Sequence, residues 1–316
     1  MKVFVIVLNF RGQKETKECV LSILQSSYAN YEIIIVDNHS LDGSAPYLRE
    51  AFPHIFVLET EENLGYAGGN NAGIRVALNK GADAILILNN DTIIDKDCLK
   101  NFVLESKLKP DSLLGGRVYY YDEPSEMQHF GGIWNHKKGK FINVPNSNFE
   151  KEKAQDLDFV TGCALFVPKN IFTVAGLFEE SFFLYYEEID WCFRVRKNGF
   201  SCTYVPSPII FHKESRSFAT PKPPQSYFQW RNRIFFIERN FPKSQFYFWL
   251  LTKFPKRLFL LILKKWLKDL DILFLGNSYE KEVSKLSYKA SLKGISDYFK
   301  RSFGNGPAWI FKRVKR

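Results

Sequence analysis

Three runs of apolar, largely β-branched residues, at 3–8, 31–36 and 84–88, each end abruptly in a cluster of polar side chains. A run that is apolar at nearly every position is shielded on both faces, as a strand inside a parallel sheet is. A shorter run at 55–58 reads as a further strand, and segments of helical period lie between the strands. One spans 14–27, with Cys19, Val20, Ile23 and Leu24 in register, and another spans 72–79. This alternation predicts an α/β fold with a mostly parallel, doubly wound central sheet flanked by helices. Such sheets bind ligands outside the carboxyl ends of their strands. The polar clusters at 37–44 and at Asn89-Asn90-Asp91 both sit at such ends, so they are expected to face one crevice.

A chain of 316 residues accommodates one large α/β domain and an appendage. An apolar fraction of 45% and 30 Phe exclude a disordered chain. The cysteines at 19, 98, 163, 192 and 202 form no C-x-x-C pair, so neither a disulfide framework nor a zinc site is signalled, and a reducing cytosol is expected. The N-terminus reads as a first strand, its apolar run too short for a secretory leader. Charge is uneven. Residues 243–316 carry 17 Lys or Arg against 5 Asp or Glu, a net of +12, whereas the first 242 carry 27 and 29, a net of −2. Residues 1–242 are therefore expected to form the main domain, with halves at about 1–115 and about 116–242. Residues 243–316 form a basic helical tail. The stretch 115–159, with Gly131, Gly132, Trp134, His136 and the lysines of 137–140, reads as an acceptor-side loop region.

Several residues carry the chemistry of group transfer. Asp37, at a strand exit, can accept the ring N–H of a pyrimidine, and Phe10 can stack on its face; the alternative is a loop-capping Asp and a core Phe. The Gly- and Asn-rich stretch 63–73 joins a strand to a helix, where backbone can approach a phosphate closely. It lacks the G-x-G-x-x-G spacing of a nicotinamide-binding unit. Asp91 leaves its strand beside two amides, as a ligand of Mg²⁺ or Mn²⁺ would, or as a residue of an ordinary Asx turn. Glu187, Glu188 and Asp190 crowd one aromatic-to-helix junction, which raises the pKa of at least one of them and suits a general base. Acids also favour a first helical turn, and Asp190 with Arg194 reads as a simple i,i+4 pair. His212 follows an apolar run and enters a polar loop, where an imidazole can complete a metal shell or serve structure alone.

In their order and spacing these residues resemble the bacterial, rhamnosyltransferase-like branch of glycosyltransferase family 2. The stretches VIVLNFRG, IIIVDNHSLDGS, ENLGYAGGNNAGI, LILNNDT, the run from Val160 to Arg194, IIFHKESRS and QWRNRIFFIERNFPK carry the likeness, over residues 3 to about 242. The resemblance implies a GT-A fold and an inverting transfer from a UDP- or dTDP-sugar to a hydroxyl of a glycan or lipid-linked acceptor in polysaccharide assembly. It places Asn9, Phe10, Asp37, Asn38, Asn63, Gly68, Asn70, Asn71, Asn89 and Asn90 on the nucleotide-sugar side. Asp91 and His212 would be ligands of a divalent metal, Mn or Mg. Glu187 and Glu188 would stand at the base position, and Arg231 with Asn232 at a late pair that helps hold the diphosphate.

Two departures matter. Asn89 replaces the first Asp of a D-x-D pattern, so metal affinity leans on the nucleotide's phosphates. Glu188 stands where the base is usually Asp, its carboxylate displaced by about 1.5 Å; either that reach is compensated or Glu187 shares the role.

The tail interleaves Phe, Trp and Leu with Lys, as basic helices of the membrane interface do. It is too interrupted by charge to span a bilayer. Peripheral attachment to the inner face of the cytoplasmic membrane is expected, the alternative being a dimerisation or core-packing helix. A processive synthase would show spanning helices and a Q-x-x-R-W motif, and Gln229-Trp230-Arg231 has other spacing. A nucleic-acid binder is disfavoured because no recognition motif accompanies the basic residues. A catalytically silent scaffold that binds nucleotide-sugar or lipid is the non-enzymatic alternative.

Overall fold

The computed structural model describes residues 1–312 apart from 129, 136–139, 145–149, 214–221 and 276–277. Of the sequence features above, residues 136–139 and 214–217 lie outside the described set. Two compact units divide the chain: Met1–Glu180 with Glu187–Ser215, and Ser181–Tyr186 with Arg216–Arg316.

In the first unit β1 (Val3–Asn9), α1 (Gln13–Leu24), β2 (Tyr31–Asp37), α2 (Ser44–Ala51), β3 (Phe56–Glu59), α3 (Gly65–Asn79) and β4 (Ala84–Asn89) alternate as the periodicity predicts. β1 runs parallel to β2 on one side and to β4 on the other, with Asn9 opposite Asp37 and Leu8 opposite Asn89. The three polar strand ends therefore share one edge. Residues 3–7 are fully buried, which accounts for their continuous apolar pattern.

After β4 the sheet stops being purely parallel. β5 (Thr92–Ile94), α4 (Cys98–Leu108) and β6 (Ser112–Tyr120) come next. They are followed by β7 (Gly131–Asn135), β8 (Lys140–Val144), β9 (Gln155–Leu157), β10 (Phe159–Val160), β11 (Ala164–Pro168), α5 (Lys169–Ala175), α6 (Glu187–Lys197) and β12 (Ser201–His212). The main sheet has the order β3-β2-β1-β4-β11-β6-β12-β5, with β9 also on β12. β11 lies antiparallel between β4 and β6, and β5 is antiparallel to β12. β10, β7 and β8 make a second, antiparallel sheet. The stretch expected to be a loop region is thus largely strand. A Cβ on Gly131 would strike the Phe159 carbonyl, and one on Gly132 the Phe159 ring and the Ile142 carbonyl, so both glycines admit neighbouring strands and do not mark a turn.

The glycine-rich stretch departs from expectation in the same way. α3 begins at Gly65, seven residues before the periodicity places it. Glycine disfavours helix, which made the run read as loop. A Cβ on Gly69 would stand 2.5 Å from Leu8, and one on Gly73 would stand 2.8 Å from Ile6 and 2.9 Å from Val36. The missing side chains let α3 lie directly on β1 and β2, and that burial outweighs the propensity cost.

The second unit holds α7 (Pro223–Asn240), α8 (Lys243–Leu275) and α9 (Ser278–Phe299). Tyr227 and Phe228 of α7 pack with Phe183, Ala290 and Ile310, and a Cβ on Gly294 of α9 would come within 2.3 Å of the Tyr227 carbonyl. The boundary expected at 242/243 falls inside this unit, because one face of α7 is covered by α9. None of the five cysteines is in a disulfide, and all are buried. Among the described residues no helix is long and apolar enough to cross a membrane.

Candidate active site

A chain of polar side chains knits the strand exits together. Asn9 donates to the Asp37 carboxylate at 2.5 Å, the Thr16 hydroxyl donates to Asn9 Oδ1 at 2.8 Å, and Asn90 Nδ2 donates to Thr16 Oγ1 at 3.0 Å. Ser40 adds a hydroxyl bond to Asp37 Oδ1 at 2.6 Å and a backbone bond to Oδ2 at 3.1 Å. Asp37 is 2% exposed and keeps one of its roughly four acceptor sites. The neighbouring loops carry left-handed backbone at Arg11, His39 and Leu41, a strained conformation that concentrates at functional sites. Phe10 projects from this edge with 42% of its surface exposed, its ring 5.1 Å from the Arg11 guanidinium.

Other amides of the sequence-based set bind the protein's own loops. Asn38 bridges Asn63, the Gly65 carbonyl and the Leu64 amide. Asn71 holds the Phe178 backbone at both ends and also Glu180. Asn70 donates to the Tyr66 carbonyl, and its buried Oδ1 meets no partner among the described residues. A Cβ on Gly68 would strike Leu64. These residues build the wall of the site. Asn89 ends β4 with its backbone N–H bonded to the Cys163 carbonyl at 2.9 Å.

The turn after β4 carries Asp91, and β5 returns antiparallel to β12 with Thr92 opposite His212. That register sets His212 Nε2 3.2 Å from Asp91 Oδ1. On its other side the imidazole meets Gln128 Oε1 at 2.9 Å, while Gln128 Nε2 donates to the His212 carbonyl at 3.3 Å. The amide orientation makes Nδ1 the N–H donor, so Nε2 points at the carboxylate. Such an outer-shell bond commonly orients a metal-ligating histidine. Burial alone would raise the Asp91 carboxyl, but the His212 hydrogen bond and charge, with Lys213, hold it below its ordinary range. Two ligands bonded to one ion at 2.1 Å and at right angles stand about 3.0 Å apart, so this pair fits one edge of an octahedral divalent cation. Among the described residues no group of three His, Cys, Asp or Glu side chains converges, so phosphate and water would supply the remaining ligands.

Glu187 and Glu188 open α6. Neither Oε2 finds a hydrogen-bond partner among the described residues. Burial lifts the Glu188 carboxyl to about 7, and burial together with the Glu188 charge lifts Glu187 well above the carboxylate range. The Glu188 stem runs past Gly162, where a Cβ would stand 3.4 Å from its Cγ and 3.1 Å from the Tyr66 hydroxyl. That hydroxyl donates to the Gly162 carbonyl at 2.5 Å. Burial raises the Tyr66 phenol far above its ordinary pKa, and Glu187, Glu188 and Asp91 all add to the shift. Tyr66 therefore lies within electrostatic reach of both carboxylate groups. The bond from Asn89 to Cys163, next to Gly162, ties the same two regions through the backbone. Asp190 pairs with Arg194 at 3.0 Å, as its spacing predicts.

Sequence reasoning missed Thr16, Ser40, Tyr66 and Gln128. Tyr66 and Ser40 stood inside motifs already quoted, but only the folded chain shows which atoms they reach.

Arg231 and Asn232, expected at the diphosphate, are fully buried in the second unit, where they hydrogen-bond to protein atoms. The guanidinium donates to the carbonyls of Gly304, Ser181 and Phe182 and to Asn232 Oδ1.

The mixed sheet with its polar strand ends has the architecture of a GT-A glycosyltransferase. Residues 3–172 match Glycosyl transferase family 2, and the chain belongs to that family. It is 26% identical over 252 residues to the low-salt glycan biosynthesis hexosyltransferase Agl10 of Haloferax volcanii, covering 76% of each chain. It is 21% identical over 213 residues to the dTDP-rhamnosyl transferase RfbF of Shigella flexneri, covering 66% of this chain and 68% of that one. The structure of GalNAc-T7 with UDP, GalNAc and Mn²⁺ superposes with a TM-score of 0.59 at 14% identity, over 75% of this chain and 48% of that one.

Proposed function

We propose that this enzyme is an inverting, metal-dependent transferase. It moves a hexosyl or deoxyhexosyl group, with rhamnose the favoured candidate, from a UDP- or dTDP-sugar to a hydroxyl of a glycan or lipid-linked acceptor in cell-surface polysaccharide assembly. The observation that carries the reading is the Glu188 carboxyl, poised near neutrality with an unpartnered oxygen, on the same tyrosine that senses Asp91. Phe10 stacks on the pyrimidine and Asp37 accepts its ring N–H through the remaining acceptor site. Asp91 and His212 would hold the divalent ion, which would supply charge neutralisation to the departing diphosphate. Glu188 takes the proton of the acceptor hydroxyl as that oxygen bonds to the anomeric carbon, and the bond to the phosphate oxygen breaks on the opposite face. Burial and the neighbouring Glu188 charge disfavour ionisation of Glu187, which limits the negative charge on the pair. A panel of UDP- and dTDP-sugars with Mn²⁺ and a lipid-linked acceptor tests this reading. Acceptor-dependent release of nucleoside diphosphate is expected, and a chain that binds donors without any turnover would be a scaffold instead.

The acceptor's lipid directs attention to α8. Tyr247, Phe248, Leu251, Phe259, Ile262 and Trp266 are between 49% and 76% exposed. At about 100° per residue they fall within an arc of about 120°. Lys265 stands at one edge of that arc. Aromatic and aliphatic side chains bordered by lysine suit the interface of an anionic bilayer, and the net +12 of residues 243–316 complements its charge. We assign this face to peripheral attachment at the inner surface of the cytoplasmic membrane. Full-length protein is expected to float with vesicles containing phosphatidylglycerol, and the triple variant Phe248→Ser, Phe259→Ser, Trp266→Ser is expected to lose at least about tenfold in bound fraction. Equal flotation would reject the assignment, and a dimer dispersed by the triple substitution would give the face to a second copy. Cutting the chain at residue 242 is no substitute for this test, because it would strip α9 from α7.

A further inference from the structure

The segment immediately before Glu187 is held in a conformation that its residues disfavour. Phe183, Tyr185 and Tyr186 have φ of +65°, +67° and +77°. Left-handed backbone is unfavourable for a non-glycine residue, and it persists only where the surroundings over-determine it. The surroundings here are Arg231 and Asn232 of the same compact unit. Asn232 Nδ2 lies 2.9 Å from the Phe182 carbonyl, 2.9 Å from that of Leu184 and 2.7 Å from that of Tyr185. Arg231 Nη2 donates to Phe182 at 2.8 Å and to Ser181 at 3.2 Å, and its Nε donates to Asn232 Oδ1 at 2.8 Å, which orients the amide. The guanidinium lies over the rings of Tyr227 and Phe228 at 5.2 and 4.9 Å. One arginine and one asparagine thus hold four carbonyls of this turn, those of Ser181, Phe182, Leu184 and Tyr185.

We propose that Arg231 and Asn232 are positioning residues: they clamp the turn 181–186 and so fix where the chain delivers Glu187 and Glu188 at the start of α6. The pair does not bind the diphosphate. This proposal rests on the reading of Glu188 as the base. A displacement of a reacting group by about 1 Å is enough to cost about 10²-fold in rate.

Arg231→Lys separates the two roles. Lysine keeps the positive charge that a phosphate site needs, but its single ammonium cannot reproduce the planar fork on three carbonyls and an amide. In Arg231→Lys, kcat for nucleoside diphosphate release is expected to fall 10- to 100-fold, while the donor KM and the Kd values for UDP and dTDP with Mn²⁺ stay within about twofold. Wild-type kcat in Arg231→Lys, or a tenfold weaker Kd with kcat intact, would overturn the clamp. Should that variant fail to fold by circular dichroism, Asn232→Ser carries the same expectation and is judged by the same split. Glu188→Gln is assayed alongside: if it is active the base assignment fails, whereas an inactive Glu188→Gln beside a fully active Arg231→Lys rejects the clamp alone.

Discussion

Glu188→Gln is expected to lower kcat by about 10²-fold or more while raising the melting temperature at pH 8. Both effects have one origin. Burial lifts the carboxyl from 4.5 to about 7, with Glu187 and the Tyr66 hydroxyl as its polar neighbours and no donor on Oε2. The folded state therefore holds a proton that the unfolded chain has already released between pH 4.5 and 7, and folding stability falls as pH rises through that window. At about 1.4 kcal/mol per unit the ionised carboxylate costs the fold about 3 kcal/mol at pH 8. A neutral amide recovers that, a rise of roughly 5 °C or more for a chain of this size, and the gain vanishes near pH 4. Wild-type kcat is expected to climb with pH and level off above about 7, as the base ionises, and this limb disappears in the variant. Scanning fluorimetry and rate profiles from pH 4 to 9 check both halves. An inactive variant that is also less stable at pH 8 would reject the account.

Removing the divalent ion is expected to abolish turnover, and Mn²⁺ to restore it. Asp91→Asn should lower kcat/KM by about 10²-fold or more, since an ion held there would contribute several kcal/mol of charge stabilisation to a departing diphosphate. Gln128→Leu gives a more specific result. Gln128 touches no candidate ligand except His212, whose ring it orients through Nδ1. Its loss should raise the Mn²⁺ concentration needed for half-maximal rate by about 10- to 100-fold, with the rate at saturating Mn²⁺ little changed. A Mn²⁺ titration of the three proteins reads all of this, and activity in EDTA equal to that in Mn²⁺ would dismiss the metal.

How far the sequence reaches depends on the range over which each feature is decided. The parallel core was legible because β1, β2 and β4 are apolar at nearly every position, a pattern that burial on both faces imposes on each strand by itself. The Asp190–Arg194 pair was legible because four residues bring side chains together on any helix. Residues 65–71 were not, because glycine looks like a loop until β1 and β2 are there to receive it. The same holds for β7, whose two glycines make room for β10, a strand distant in sequence.

The assignment of α7 to the tail's unit, and the engagement of Arg231 and Asn232 with the turn 181–186, required the packed structure. A late Arg-Asn pair has the same letters whether it faces a phosphate or a carbonyl.

The sequence by itself determined the sheet's parallel half, the edge at which its polar ends gather, and the residue types able to serve as base and ligands. Tertiary structure alone decided that β5 and β12 pair so that His212 meets Asp91, that Tyr66 reaches Gly162 beside Glu188, and that burial brings that carboxyl to about 7. The division has a physical cause. Periodicity and local burial are written residue by residue along the chain, whereas register, desolvation and charge proximity depend on which distant segments come to lie within a few ångströms of one another.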